Sequence, residues 1–150
     1  MLRGIEAPRR RIFARRLRVL IVHADASCRE QVARLLRRSD IDVIDVLPDG
    51  EAAINVVKAV GPDLVLVGAG GDRPIAADEL TRRLSWEAPG TRVLVLGDAD
   101  AEEELAGAMV GGAAGYVRID GRADRVDVTL RIALALIAYR EVAQYERGAS

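Results

Sequence analysis

Gly61-Pro62-Asp63-Leu64-Val65-Leu66-Val67-Gly68 is the stretch that decides the fold of this chain. Glycine and proline punctuate the backbone, four aliphatic residues follow without interruption, and a second glycine stops the run. A strand with one wet face alternates apolar and polar residues. An unbroken aliphatic strand is instead buried on both faces, as in a parallel sheet covered by helices on either side. Leu17–Val22 reads the same way.

The segments between such strands read as helices. Ala26–Arg38 sets Val32, Leu35 and Leu36 at helical spacing with Arg on the other face, and Asp25 or Ser27 suits its N-cap. Ile41–Leu47 alternates Ile and Val with Asp42 and Asp45, which reads as a more exposed strand. Pro48-Asp49-Gly50 is a turn, and Glu51–Val60 is a helix closed by Gly61-Pro62. After the Asp63–Val67 strand come the loop Gly68-Ala69-Gly70-Gly71, a short helix over Ala76–Ser85, the turn Ala88-Pro89-Gly90 and a strand over Thr91–Leu96. Ala101–Val110 is a helix whose first turn holds Glu102, Glu103 and Glu104, the favourable sign at the positive end of its dipole. Gly111-Gly112 ends it, Gly115–Arg118 is a fifth strand, and a long helix runs from Ala123 to Glu146.

Five strands alternating with five helices predict one flavodoxin-like (βα)5 domain, α/β and doubly wound, with right-handed crossovers and strand order 2-1-3-4-5. That order puts the functional crevice at the carboxyl ends of strands one, three and four. The residues there are His23-Ala24-Asp25, Gly68-Ala69 and Gly97-Asp98, with Ile119 after strand five.

The 150 residues suffice for one domain with a real core, and with half of them hydrophobic but 3% aromatic, that core must be aliphatic. The net charge of −1 conceals an asymmetry: residues 1–18 carry seven Arg against Glu6, so the remaining 132 residues carry −7. Residues 1–16 read as a basic, flexible arm and 17–147 as the folded unit with an extended last helix. Such an arm is either a solvated leader or a contact for nucleic acid, an acidic partner or anionic lipid. Cys28 is the only cysteine, so no intrachain disulfide forms; at a helix start its thiol pKa can fall, although a structural role is the ordinary one. No apolar run approaches the ~18 residues of a membrane span, and no signal-peptide core follows the N-terminal arginines, so the expected location is the cytoplasm.

Several blocks in order resemble the receiver domain of response regulators, over about residues 17–138. Arg18-Val19-Leu20-Ile21-Val22 with the later Arg29-Glu30 is similar to the family's first strand and helix. Asp49-Gly50-Glu51-Ala52 is similar to the entry of its second helix, and Pro62-Asp63-Leu64-Val65-Leu66 to its third strand. The block from Asp98 to Gly112-Ala113-Ala114-Gly115-Tyr116 is the most specific and resembles the NarL/FixJ type. The resemblance implies a phosphoacceptor aspartate at Gly68, acidic magnesium ligands at His23 and Ala24, a phosphoryl-binding hydroxyl at Gly97 and a lysine at Ile119. None of these five positions carries the family's residue. Phosphoryl transfer needs an oxygen nucleophile, a divalent metal and charge compensation, so the resemblance here is to a degenerate pseudo-receiver with no catalytic residue, cofactor or metal.

Some residues keep an alternative. Asp25 is an N-cap or a displaced metal ligand, Asp98 a solvated turn or a weak ligand, and His23 a packed structural residue or a ligand. Gly68, Ala69, Gly70 and Gly71 form a flexible loop or a nest for a small anion or metabolite. Tyr116 falls on the family's switch aromatic, and is either fixed in one rotamer or simply surface-packed. The last helix has a stripe at Val126, Leu130, Ala133 and Ile137 for the sheet, with Leu134 and Ile132 pointing elsewhere. The resemblance implies a homodimer face on helix four, strand five and helix five, with Met109, Tyr116, Leu130, Leu134 and Ile137 as candidates, or along the last helix itself. No output domain is expected before Ser150, hence no sequence-specific DNA binding. The expected function is phosphorylation-independent signalling or transcriptional regulation through an unidentified protein partner; the alternative is a ligand-gated receiver binding a small metabolite or anion in the altered crevice.

Overall fold

Burial along the central strands alternates by face, and that alternation builds two cores. A computed structural model describes residues 16–38, 41–70, 75–119 and 128–138. Its strands are β1 (Arg18–Val22), β2 (Asp42–Leu47), β3 (Leu64–Gly68), β4 (Arg92–Gly97) and β5 (Gly115–Arg118). The helices are α1 (Ala26–Arg38), α2 (Gly50–Val60), α3 (Ala77–Glu87), α4 (Glu102–Val110), entered through a 3-10 turn at Ala99–Ala101, and α5, described over 128–138. All strands are parallel, in the order β2-β1-β3-β4-β5. This is the flavodoxin-like, doubly wound sheet expected from the sequence.

On one face, Leu20, Val22, Val65, Val67, Val93 and Val95 pack against α2, α3 and α4 through Ile54, Val57, Leu80, Leu84 and Leu105. On the other, Val19, Ile21, Leu64, Leu66, Leu94 and Leu96 pack against α1 and α5 through Val32, Leu36, Leu130, Leu134 and Ile137. Every residue of β3 is buried, as an aliphatic run without a polar partner face requires. β2 has no buried residue because it is an edge strand, and its register against β1 slips between Val19 and Leu20.

Local chemistry sets the element ends. Asp49 Oδ1 accepts the Ala52 N–H at 3.0 Å and caps α2, whose far end closes on Gly61 at φ 55°, with its N–H on the Val57 carbonyl. Only glycine takes that left-handed turn without strain. The amino ends of the strands are then stitched together. Asp63 Oδ2 accepts the Arg18 N–H at 2.8 Å, the Asp63 N–H reaches the Arg18 carbonyl at 3.0 Å, and Arg92 N–H reaches the Asp63 carbonyl at 3.1 Å. Thr91 Oγ1 donates to the Pro62 carbonyl at 2.9 Å. The described residues form a single domain; the arm up to Arg15, Val126 and the chain beyond Ala138 lie outside them.

Two expectations for α5 change. Leu134 does not point away from the sheet: it is 4% exposed, inside the core with Leu130 and Ile137. A helix this aliphatic fits two stripes equally well, 130-133-137 or 130-134-137. The larger side chain takes the interior and Ala133 is left half-buried. Leu130, Leu134 and Ile137 are therefore unavailable to a dimer face. Val128, Ile132 and Leu136, each more than half exposed, form the outer stripe at i, i+4, i+8.

Candidate functional site

The crevice forms where β1, β3 and β4 end. β1 delivers His23, β3 delivers Gly68 and Ala69, and β4 delivers Gly97, whose carbonyl accepts the Ile119 N–H at 2.9 Å. The turn after β1 is tied by its own side chains. Asp25 Oδ1 accepts the N–H groups of Ser27 at 2.8 Å and Cys28 at 3.3 Å, the N-cap geometry of α1. Arg29 donates to the carbonyls of His23 at 2.8 Å and Ala24 at 3.2 Å.

His23 is half-buried, and its Nδ1 accepts the Asp25 N–H at 3.0 Å. An accepting Nδ1 carries no proton, which fixes the tautomer and the ring plane. The ring so held lies over Gly68. A Cβ at residue 68 would fall 2.2 Å from His23 Cδ2 and 2.7 Å from Cγ and Nε2. The imidazole therefore occupies the space into which any side chain at 68 would project. Gly97 is confined less severely: a Cβ there would meet Ala69 Cβ at 3.2 Å and Ala101 Cβ and Leu105 Cδ2 at 3.3 Å. Glycine at 68 and at 97 thus matches its neighbours sterically.

The loop after β3 is also held from within. Glu104 on α4 accepts the Gly70 N–H through Oε2 at 2.7 Å and the Ala77 N–H through Oε1 at 2.5 Å. Ala77 opens α3, and Ala76 before it provides no side-chain cap. One carboxylate from another helix thus satisfies an orphan donor of α3 and anchors the loop by charge-assisted bonds. The expected anion nest changes accordingly: at Gly70 the donor is already taken by the chain's own carboxylate, and Gly71 lies outside the described residues. Sequence reading assigned Glu104 only to the helix dipole. A sharper signal was present, since Glu104 falls beside the inward stripe Ala101, Leu105 and Ala108, where an acid must find donors.

A recess of about 510 Å³ remains, lined by His23, Cys28, Gly70, Leu96, Gly97 and Ile119. Asp25, Asp98 and Asp100 also line it, so it disfavours anions. Asp98 is exposed and caps the 3-10 turn, accepting the Asp100 N–H at 2.9 Å. Burial, and secondarily the charge of Asp25, pushes the Cys28 thiol above its ordinary range, the opposite of the fall expected at a helix start. Magnesium prefers near-octahedral oxygen ligation. Here His23 Nδ1 and Asp25 Oδ1 are engaged with backbone donors, and Ala24 and Gly68 bring no ligand atom, so these residues do not fit that ion. Among the described residues no three His, Cys, Asp or Glu side chains group to hold a metal, and no helix is long and apolar enough to cross a membrane.

Tyr116 turns outward on β5 and is 51% exposed, beside a recess shared with Glu102, Leu105, Ala106 and Arg118. Met109 is exposed on α4.

No family model matches the chain. The transcriptional regulatory protein DegU of Brevibacillus brevis is 27% identical over 118 residues, 78% of this chain and 50% of that protein. The chain spans half the length of this curated relative. Among solved structures, the receiver domain of the putative response regulator NarL from Mycobacterium tuberculosis is 26% identical with a TM-score of 0.66, covering 79% of this chain and 96% of that one. The response regulator domain of Thermotoga maritima CheB superposes with a TM-score of 0.72 at 19% identity, over 83% of this chain and 98% of that one. The 2-1-3-4-5 sheet and these likenesses together support a receiver domain of the two-component response-regulator type.

Proposed function

We propose that this receiver domain is a non-catalytic, phosphorylation-independent pseudo-receiver that works in signalling or transcriptional regulation through protein contacts. The observation that carries this reading is the His23 imidazole held over Gly68, in the space an acceptor side chain would need. Ala24, Gly97 and Ile119 support it, because they bring neither metal ligand, hydroxyl nor cation to the same crevice. With the crevice closed to phosphoryl chemistry, output depends on the outer surfaces. For self-pairing those offer Met109, Tyr116, Val128, Ile132 and Leu136. Incubation with acetyl phosphate and magnesium is the test. The expected result is no phosphoryl adduct by intact mass and no change in melting temperature with beryllofluoride; stoichiometric phosphorylation would sink the reading.

The recess of about 510 Å³ favours a second reading, a ligand-gated receiver. Its acidic rim and the engagement of the Gly70 N–H by Glu104 select a neutral or cationic small molecule over an anion. A thermal-shift screen of amines, neutral metabolites and nucleotides separates the two, since the first reading expects no ligand-dependent rise.

A further inference from the structure

We propose that the arginine-rimmed groove between α1 and β2 receives α4 of a second copy of this chain, in a head-to-tail contact. The groove encloses about 650 Å³. Half-buried Val46 gives it apolar surface over the buried Ala33, and Arg29, Arg34, Arg37 and Arg38 surround it with Glu30 as the one acid. Arg29 is engaged with the turn after β1. The side chains of Arg34, Arg37 and Arg38 are exposed and make no ion pair or hydrogen bond among the described residues. Uncompensated guanidinium groups around an apolar surface suit a carboxylate-bearing helix, since each can bind a carboxylate in bidentate fashion. Glu30 and the apolar lining disfavour a phosphodiester chain.

The chain itself carries a segment of that description. Residues 98–110 contain five acids and no base, whereas α1 contains four arginines against one acid. The outward positions of α4 are Glu102, Glu103, Ala106, Met109 and Val110, an acidic end followed by an apolar one. Val110 is 91% exposed. Glu104 is turned inward onto Gly70 and Ala77, and Glu102 shares Arg118 at 3.2 Å, which leaves Glu103 as the freest charge of the ridge.

α1 packs on one face of the sheet and α4 on the opposite face. The groove and the ridge of one molecule therefore do not meet, and their pairing joins two copies. Each copy keeps one groove and one ridge unused, so the contact is heterologous and propagates into a chain or closes into a ring. This inference does not depend on the phosphorylation-independent reading.

Sedimentation velocity of the full chain tests it. Near 0.1 M salt the mass should rise with concentration above the 16.2 kDa of one copy. It should return to the monomer near 1 M, where the screening length drops from about 10 Å to about 3 Å. Arg34→Glu with Arg37→Glu, and separately Glu102→Arg with Glu103→Arg, should each give monomers with unchanged circular dichroism. Mixing the two variants sets one native groove against one native ridge, and one reversed groove against one reversed ridge of opposite charge, so association should return in the mixture. Association unaffected by the groove variant, or a monomer at both salt levels, overturns the proposal. A salt-insensitive dimer lost with Ile132→Arg overturns it in favour of apolar pairing through α5. Binding of labelled duplex DNA that needs Arg34 and Arg37, without self-association, overturns it in favour of a polyanion site.

Discussion

The two ends of β3 have been treated differently. At the amino end, Asp63 ties the backbone of β1 and β4, and Pro62 accepts a bond from Thr91. At the carboxyl end, Gly68 has no side chain, and the neighbouring His23 covers the vacant direction. The amino end needs Asp63 to satisfy backbone donors of the sheet. The carboxyl end opens on the crevice, where the space beside Gly68 is taken by the His23 ring. Five residues apart, Asp63 just before β3 serves the folding of the sheet, while Gly68 at its end lies in the crevice, so the two ends of the strand answer to different demands.

That contrast can be broken in order of expected effect. The common core between the ends sets the scale: Leu66→Ala, at a fully buried position, should cost about 3–4 kcal/mol in urea unfolding. Gly68→Asp should cost about 2–3 kcal/mol, because the new side chain must expel the His23 ring and its bond to Asp25. Adding His23→Ala to it should recover much of that loss. A Gly68→Asp variant as stable as the parent would show that the ring does not hold the space. The double variant should still resist acetyl phosphate, since Ala24, Gly97 and Ile119 are unchanged.

Glu104→Ala should cost about 2 kcal/mol by orphaning two backbone donors, and Asp63→Ala about 1 kcal/mol by orphaning one. Amide exchange should accelerate at Gly70 and Ala77 in the first variant and at Arg18 in the second. The same rates in both variants would erase the distinction between the ends. The smallest effect is at Cys28. Its folded-state pKa is raised, so folding favours the neutral thiol. That contribution is present below the unfolded thiol pKa and is lost as pH rises through the folded one. Alkylation near pH 8 should be slower than for an unfolded Cys peptide, and the unfolding midpoint should slip only on the alkaline side.

Much of this was legible in the chain. Strand and helix periodicity, the Gly61 stop and the acid-rich entry to α4 all located elements to within about two residues. Residue type narrowed the N-cap of α1 to Asp25 or Ser27, and the bonds from the Ser27 and Cys28 N–H groups select Asp25. Legibility failed where two local patterns fitted equally, as for Leu134 against Ala133, or where a polar side chain found its partner far along the chain. Glu104 bonds Gly70 across 34 residues and Ala77 across 27. No local window contains both ends of such a bond.

The amino-acid sequence by itself determined the doubly wound sheet, because an unbroken aliphatic run has no way to be satisfied except burial on both faces. It also determined the identities His23, Ala24, Gly68, Gly97 and Ile119, none of them the residue that the receiver resemblance implies at its position. Only the tertiary structure decided what surrounds them. The His23 ring over Gly68, the Glu104 carboxylate across the loop and the choice of buried stripe on α5 depend on which surfaces meet when the sheet closes. Packing between distant segments sets those contacts, and sequence periodicity carries no record of them.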